Sequence, residues 1–310
     1  MLRKNMQSTS QVLLVKPTHF GFNIETEKSN AFQHQLDEKV EIIQEKAVLE
    51  FEAFAATLSA KGVEVFIFDD TPDPVKPDAV FPNNWISCHH DGTVILYPMQ
   101  APNRRLERRM DILESIEQTF NINKIIDLTD DENQSRFLEG TGSIVFDHVH
   151  RIAYACLSPR TDKSLLLDLC EQLKYEAVYF YAHDEHRREI YHTNVMMCIG
   201  PRFAVVCLES IREERQRAWV SESLIQTGHQ IIEITMEQMR NFAGNMLCLK
   251  NQQEQNILVL SATAYGTLYD WQIEELNKYA ELLPLNIPTI ETIGGGSARC
   301  MIAELFLEKK

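Results

Sequence analysis

The 310-residue chain is poor in positive charge: 30 Lys and Arg stand against 45 Asp and Glu, a formal net charge of −15. That balance argues against a nucleic-acid or anionic-membrane partner, because phosphate surfaces are held by clustered Lys and Arg. No apolar run approaches the roughly 20 residues a membrane helix needs. The opening stretch "MLRKNMQSTSQ" has no apolar h-region, so no secretory leader is expected. GxGxxG and GxxxxGK[ST] are both missing, which removes support for a nucleotide-binding loop. The seven cysteines, at 88, 156, 170, 198, 207, 248 and 300, include no CxxC pair. They read as reduced thiols of a cytoplasmic protein rather than a disulfide framework or a zinc site. Glycine is sparse, 12 in all, yet three stand together at 294–296 in "ETIGGGSARCMIAELFL". Three adjacent glycines allow a close backbone approach, and the cysteine that follows is expected at the start of regular structure.

What the chain does have is an apolar fraction of 44%, ample for a sizeable core, and a repeat. Polar or glycine-bearing clusters followed by apolar strand-like runs begin at Phe81 (FPNNWISCHHDGTVILYP), Leu138 (LEGTGSIVFDHVHRIAYACLS), Tyr191 (YHTNVMMCIGPRFAVVCLES), Ala243 (AGNMLCLKNQQEQNILVLSA) and Ser297 (SARCMIAELFL). In the middle three, a polar turn (DHVHR, GPRF, KNQQEQN) separates two apolar runs, which is a hairpin signature. Apolar residues at helical spacing predict helices over Phe32 to Ala60, Leu106 to Phe120, Ser164 to Leu173, Glu209 to Thr227 and Trp271 to Leu283. Short β-rich pieces (VEVFIFD, INKIIDL, EAVYFYA, HQIIEI) follow the first four. The regular spacing favours one repeat-built domain over residues 1–310, a ring of five strand–strand–helix–strand units. The first strand, SQVLLVKP, would close that ring with the C-terminal segment.

In such a ring the equivalent clusters face one another across the axis. They supply Asn83 and Asn84, Glu139, His192 and Asn194, Asn245, and Arg299 with Cys300. A thiol, an imidazole and a carboxylate at equivalent phases of a repeat are what a Cys–His catalyst needs.

The motifs DAVFPNNW, LEGTGSIVFD, CLSPRTD, YHTNVMM and GGGSARCM resemble those of the guanidino-group-modifying enzymes, the pentein superfamily of arginine deiminases, dimethylarginine hydrolases and amidinotransferases. The resemblance spans nearly the whole chain. It implies an α/β propeller with pseudo-fivefold ββαβ repeats around a central channel. It also implies Cys300 as nucleophile, His192 as general acid/base and Glu139 as the carboxylate near the substrate nitrogens. Arg160 in "SPRT" corresponds to an arginine that binds a substrate carboxylate, and Asp78 to an acidic residue before the "V-F" pair.

Two departures redirect the substrate. Asn84 and Asn194 stand where deiminases carry Asp, in F-x-R-D and H-x-D, and E-G-T-G replaces E-G-G-D. A guanidinium is cationic and offers only donors, so it favours carboxylates. A ureido group is neutral, and its oxygen needs donors, which Asn supplies. With FPNNW and HTN, the pattern is similar to the citrulline-utilisation hydrolases. It implies citrulline, or a near relative, cleaved to ornithine, ammonia and carbon dioxide, with Asp78, Asn83, Asn84, Arg160 and Asn194 binding substrate. A guanidine-acting enzyme of the same superfamily is the alternative, and a non-catalytic propeller that binds a partner is a further one. No metal or organic cofactor is expected. The expected partner is a small molecule, and self-association into a homo-oligomer is compatible with the sequence. "HDEHRRE" (His183 to Glu189) reads as a solvated or substrate-gating loop, "CHHDG" as a hairpin turn, and "NRRLERR" (Asn103 to Arg109) as an exposed basic helix face.

Overall fold

In the computed structural model, which describes residues 6–310, the apolar runs become fifteen short strands. These are β1 (Gln11–Lys16), β2 (Glu64–Asp69), β3 (Ile86–Cys88), β4 (Thr93–Leu96), β5 (Lys124–Asp127), β6 (Val145–Asp147), β7 (Ile152–Cys156), β8 (Glu176–Phe180), β9 (Met197–Ile199), β10 (Phe203–Val206), β11 (Gln230–Glu233), β12 (Leu247–Lys250), β13 (Asn256–Ser261), β14 (Glu281–Leu285) and β15 (Ala303–Glu304). They form five three-stranded sheets, in the orders β15-β1-β2, β3-β4-β5, β6-β7-β8, β9-β10-β11 and β12-β13-β14. Each sheet pairs two strands antiparallel and adds a third in parallel to the middle one. A parallel neighbour needs a crossover, and each is made by one main helix: Val40–Ala60, Met110–Thr119, Lys163–Leu173, Glu214–Gln226 and Asp270–Asn277. The expected strand–strand–helix–strand unit is therefore present five times. The ring closes where β1 pairs with β15, Val12 opposite Glu304 and Leu13 opposite Ala303.

Middle strands have helices outside and neighbouring blades inside, so they are apolar on both faces; all five residues of β7 are buried. The outer strands alternate instead, as in Lys124–Asp127, where only Ile126 is buried. The helix Lys163–Leu173 shows how local signals set the crossovers. Asp162 accepts the Leu165 N–H at 2.9 Å as N-cap, Leu165, Leu166, Leu169 and Cys170 form the buried stripe, and Lys174 ends the helix in the left-handed region.

Several boundaries differ from the sequence expectation. The first main helix begins at Val40, not Phe32, because the preceding segment is held by tertiary contacts: His34 N–H bonds the Thr292 carbonyl at 2.7 Å, and the Phe32 ring packs on Tyr191 and Phe242. The expected helix Trp271 to Leu283 stops at Asn277; Glu281–Leu285 is strand, paired with β13, and Pro284 could not have continued a helix. Cys300 lies in a turn just before β15 rather than within a helix or strand. No helix among the described residues is long and apolar enough to cross a membrane. Of the N-terminal stretch read as lacking an h-region, residues 1–5 lie outside the described residues.

Asp162→Ala should lower unfolding free energy by about 1 kcal/mol, the usual worth of an N-cap, with activity unchanged. Urea denaturation alongside steady-state kinetics checks both, and a loss of activity at full stability would contradict the purely structural role.

Candidate active site

Every blade delivers its polar cluster at the same place, the corner just before its first strand. Asn83 and Asn84 lie in the single turn Pro82–Asn84 ahead of β3. Glu139 precedes the turn Gly140–Ser143 ahead of β6, and His192 the turn Thr193–Met196 ahead of β9. Asn245 and Cys300 stand in the corresponding corners before β12 and β15.

The glycine run explains how Cys300 is presented. Gly295 adopts φ +63°, and a Cβ there would lie 2.6 Å from the Asn30 side chain; on Gly294 or Gly296 it would press to 2.8–2.9 Å from the Phe81 ring. The bare backbone thus packs flat between Phe81 and the 30–33 segment. Cys300 N–H bonds the Ser297 carbonyl at 2.9 Å. Asn245 is aligned by the Arg299 N–H, which its Oδ1 accepts at 3.1 Å, so its Nδ2 donates toward Cys300 Sγ at 3.2 Å. Asn194 Nδ2 points to the same sulfur at 3.6 Å. Two amide donors converging on Sγ suit a thiolate. Burial pushes the thiols of Cys88, Cys156, Cys170, Cys198, Cys207 and Cys248 up, each to about 12, so these stay protonated, as their reading as core residues requires.

Opposite lies an imidazole–carboxylate pair. His192 Nε2–H donates to Glu139 Oε2 at 2.8 Å, and Glu139 Oε1 accepts the Gln100 N–H at 3.0 Å. Arg160 Nη1 is 3.5 Å from Glu139 Oε2, and its guanidinium stacks 4.8 Å over the Tyr191 ring. Burial pushes Glu139 up, but Arg160, the His192 hydrogen bond and Arg104 outweigh it and hold the carboxyl well below the usual range. Burial lowers His192 to about 4 despite Glu139. The resting pair is therefore carboxylate and neutral imidazole, with Nδ1 left as the ring's acceptor.

Sequence reasoning missed Arg104. The expected exposed basic face is, at this position, a buried guanidinium in the site, 3% exposed. Glu107 grips it twice, Nε to Oε1 and Nη2 to Oε2, both at 2.9 Å. Its Nη1 donates to Asn84 Oδ1 at 2.9 Å, and Asp78 Oδ2 lies 3.7 Å from its Nε. The signal was the i,i+3 spacing of Arg104 and Glu107, which on a helix reads as a surface pair. Arg105 and Arg108 instead hold Glu132. An arginine can only donate, so Asn84 must present its oxygen to Arg104 and its Nδ2 to the cavity. That Nδ2 is buried without a protein partner, as are Asp78 Oδ1 and Asn194 Oδ1. Asp78 Oδ2 accepts from Asn23 at 2.7 Å, and burial raises its carboxyl above the ordinary value.

Asp78, Asn84, Arg104, Arg160, His192 and Cys300 line one cavity of about 20 Å³, roofed by Asn30 and the glycine run. Asn194 is not among its lining residues and borders a separate cavity with Thr141 and Met197. Asn83 does not line it either. Its backbone carbonyl receives the Thr141 hydroxyl instead, while its buried side-chain amide has no protein partner. Arg299 turns away to the Ile302 carbonyl and Glu304. The 183–189 loop is largely solvated, with Asp184 bonding Arg188 and Glu185 bonding Arg240. It borders a wider cavity of about 510 Å³ that shares Tyr191 with the first. "CHHDG" is a hairpin turn between β3 and β4, as expected, although His89 is buried, with Nε2 3.0 Å from Ser87 Oγ.

Two outcomes follow from this geometry. A Cβ on Gly142 would lie 2.4 Å from Asn84 Nδ2 and 2.7 Å from His192 Nδ1. Gly142→Ala should therefore cut kcat/KM by more than about 10-fold while overpacking costs about 1–3 kcal/mol; unchanged kinetics would show that neither side chain is needed where it stands. The second concerns pH. His192 binds a proton at about 4 when folded and near 6.5 when unfolded, so the unfolded chain takes up protons first on acidification. His192 thus favours folding above pH 6.5 and loses that contribution as pH falls toward 4; Glu139, also lowered, acts in the same sense below its unfolded value. The stability of wild type relative to His192→Gln should fall through this window, as chemical denaturation at a series of pH values would record. A constant difference between the two would show that His192 does not titrate abnormally.

Comparison with known proteins gives the family and the fold. A family model described as N,N dimethylarginine dimethylhydrolase, eukaryotic, matches residues 16–307. No curated protein matches the sequence significantly. Among solved structures, the substrate-bound N-terminal domain of ArgZ, a cyanobacterial arginine dihydrolase of the ornithine-ammonia cycle, superposes with a TM-score of 0.73 at 17% identity, covering 95% of this chain and 97% of that one. The apo ArgZ structure gives 0.72 at 17% identity over 94% of this chain, which spans only 40% of that longer protein. A dimethylarginine hydrolase from Pseudomonas aeruginosa, complexed with citrulline, gives 0.65 at 16% identity over 96% of this chain and 99% of that one. The fold is thus the pentein propeller, and because the family match runs over nearly the whole sequence, the chain belongs to the N,N dimethylarginine dimethylhydrolase family of pentein hydrolases.

Proposed function

We propose that the protein is a cysteine-dependent hydrolase of a ureido amino acid, with citrulline as substrate and ornithine, ammonia and carbon dioxide as products. The observation that carries this reading is the orientation of Asn84. Arg104 holds its oxygen, so an unpartnered N–H₂ faces the cavity. A ureido oxygen would satisfy that donor, whereas a guanidinium, which only donates, would leave it buried and unpaired. Asp78 Oδ1 is then free to accept a ureido N–H group.

In this mechanism His192 Nδ1 takes the Cys300 thiol proton as Sγ attacks the ureido carbon, and Asn245 and Asn194 support the sulfur as it becomes a thiolate. One C–N bond breaks, and its nitrogen leaves with a proton delivered by His192, whose imidazolium form Glu139 stabilises. Neutral His192 then takes a proton from water as that water attacks the S-carbamoyl or S-alkylthiocarbamate carbon, restoring the thiol. Loss of the remaining nitrogen substituent from the carbamate completes hydrolysis. Arg160 would bind the substrate carboxylate. Its Nη2 donates to Ser29 Oγ at 2.6 Å, so Ser29 occupies a donor the substrate would use, and admission of an amino acid requires the 23–34 segment to move. The blades act as one catalytic unit, residues 1–310, and seven buried, unbridged cysteines support a reducing, cytoplasmic setting.

A second reading has its own support. The unpartnered Asp78 carboxylate oxygen could accept a guanidinium N–H, and ArgZ is described as an arginine dihydrolase. Wild-type protein given citrulline, arginine and dimethylarginine at equal concentration, with ornithine and ammonia followed, separates the two. Citrulline should be preferred by about 10⁴-fold in kcat/KM, Cys300→Ser should lose turnover by orders of magnitude, and Asn84→Asp with Asn194→Asp should depress citrulline hydrolysis. Faster consumption of arginine would overturn the ureido reading in favour of the guanidine one.

A further inference from the structure

The third blade carries a polar cluster that the reaction does not use. β6 starts beside the cavity corner at Gly140–Ser143 and ends at Asp147, so the turn "DHVHR" lies at the opposite edge of the blade. Asp147 is fully buried. Its Oδ1 accepts the His150 backbone N–H at 2.9 Å, which fixes the carboxylate plane. Its Oδ2 lies 2.8 Å from His150 Nδ1 and 3.9 Å from His229 Nε2. His229 belongs to the next blade, one residue before β11, and is 6% exposed.

The orientation of His229 is set from behind. Thr227 Oγ1 lies 3.0 Å from the carbonyls of both Ser223 and Leu224 and 2.8 Å from His229 Nδ1, and it accepts from Nδ1–H when its own proton goes to a carbonyl. The neutral ring then carries its proton on Nδ1 and aims the Nε2 lone pair at Asp147 Oδ2. An imidazole whose rear N–H is held while its front lone pair faces a buried carboxylate is the arrangement found at metal-ligating histidines. One ligand atom from each of Asp147, His150 and His229 falls within 4.8 Å of the others. His150, with a side chain 37% exposed, gives solvent access.

We propose that Asp147, His150 and His229 form a site for a divalent transition-metal ion of the zinc, cobalt or nickel kind, which ties the third blade to the fourth. Two imidazole nitrogens and one carboxylate oxygen suit these ions better than magnesium or calcium, which favour all-oxygen sets. Three protein ligands leave a position for water on the exposed side. On binding, the ion replaces the proton between His150 Nδ1 and Asp147: neutral His150 moves that proton to Nε2, and protonated His150 releases one to solvent. Bound metal favours the folded state by mass action and leaves the catalytic cavity untouched.

The test is titration of wild type and Cys300→Ala with Co²⁺, read by visible absorption, and with Zn²⁺ and Mg²⁺, read by the melting temperature. One equivalent of Co²⁺ should bind with d–d bands and no thiolate charge-transfer band, equally in both proteins, so that capture by Cys300 is set apart. Zn²⁺ should raise Tm by several degrees and Mg²⁺ should not. His150→Ala should weaken binding by about 10-fold or more, and Thr227→Val by about 10- to 100-fold, both with metal-free Tm and kcat near wild type. Absence of binding at millimolar metal, loss of binding in Cys300→Ala, or binding indifferent to His150→Ala would overturn the site and leave Asp147–His150 as an ion pair alone.

Discussion

The short antiparallel contact between β1 and β15 is the constraint on which the remaining geometry depends. It joins the two ends of a chain whose other four sheets are each built from consecutive strands. Without it the first blade would be a two-stranded parallel pair, and the turn holding Cys300, three residues before β15, would have no fixed relation to Glu139 or His192. The closure is also why Cys300 and His192, more than a hundred residues apart, line one cavity. The ring turns sequence distance into adjacency around one axis.

Convergence on an axis concentrates charge away from water, which is tolerable only when opposite charges and hydrogen bonds compensate. Here two guanidinium groups, Arg104 and Arg160, meet three carboxylates, Asp78, Glu107 and Glu139, all buried. The partition is specific. Glu107 takes both arms of Arg104, Arg160 approaches Glu139, and Asp78 retains one oxygen without a protein partner. The same compensation leaves Glu139 ionised and His192 neutral, which is the state a proton acceptor must start from.

Neutral amides stand among these charges, and their direction is set by neighbours that cannot reverse roles. Arg104 can only donate, so Asn84 turns its nitrogen inward; the Arg299 backbone N–H can only donate, so Asn245 turns its nitrogen to the sulfur. A side chain with two faces becomes a one-way donor through a contact behind it.

The sequence by itself determined the blade count, the hairpins, four of the parallel strands and the five corners that hold the polar clusters, because two-residue alternation, turn residues and a regular repeat are local properties of the chain. It also carried Cys300, His192 and Glu139 as a set through their equal phase in that repeat. It did not disclose that Arg104 is buried, since a helical Arg–Glu pair three residues apart looks the same on a surface as in a site. It misjudged residues 32–39 and 281–283 for a related reason: both runs have helical spacing, but the first is held by Thr292, Tyr191 and Phe242, and the second by pairing with β13. Asn83 and Asn84 are identical neighbours in the sequence, and only tertiary packing sends one to the cavity and the other away from it. Which way an amide points, and which charge meets which, depends on atoms brought together from residues distant in the chain, such as Asn84 with Arg104 and Asn245 with Arg299, and no local pattern encodes that.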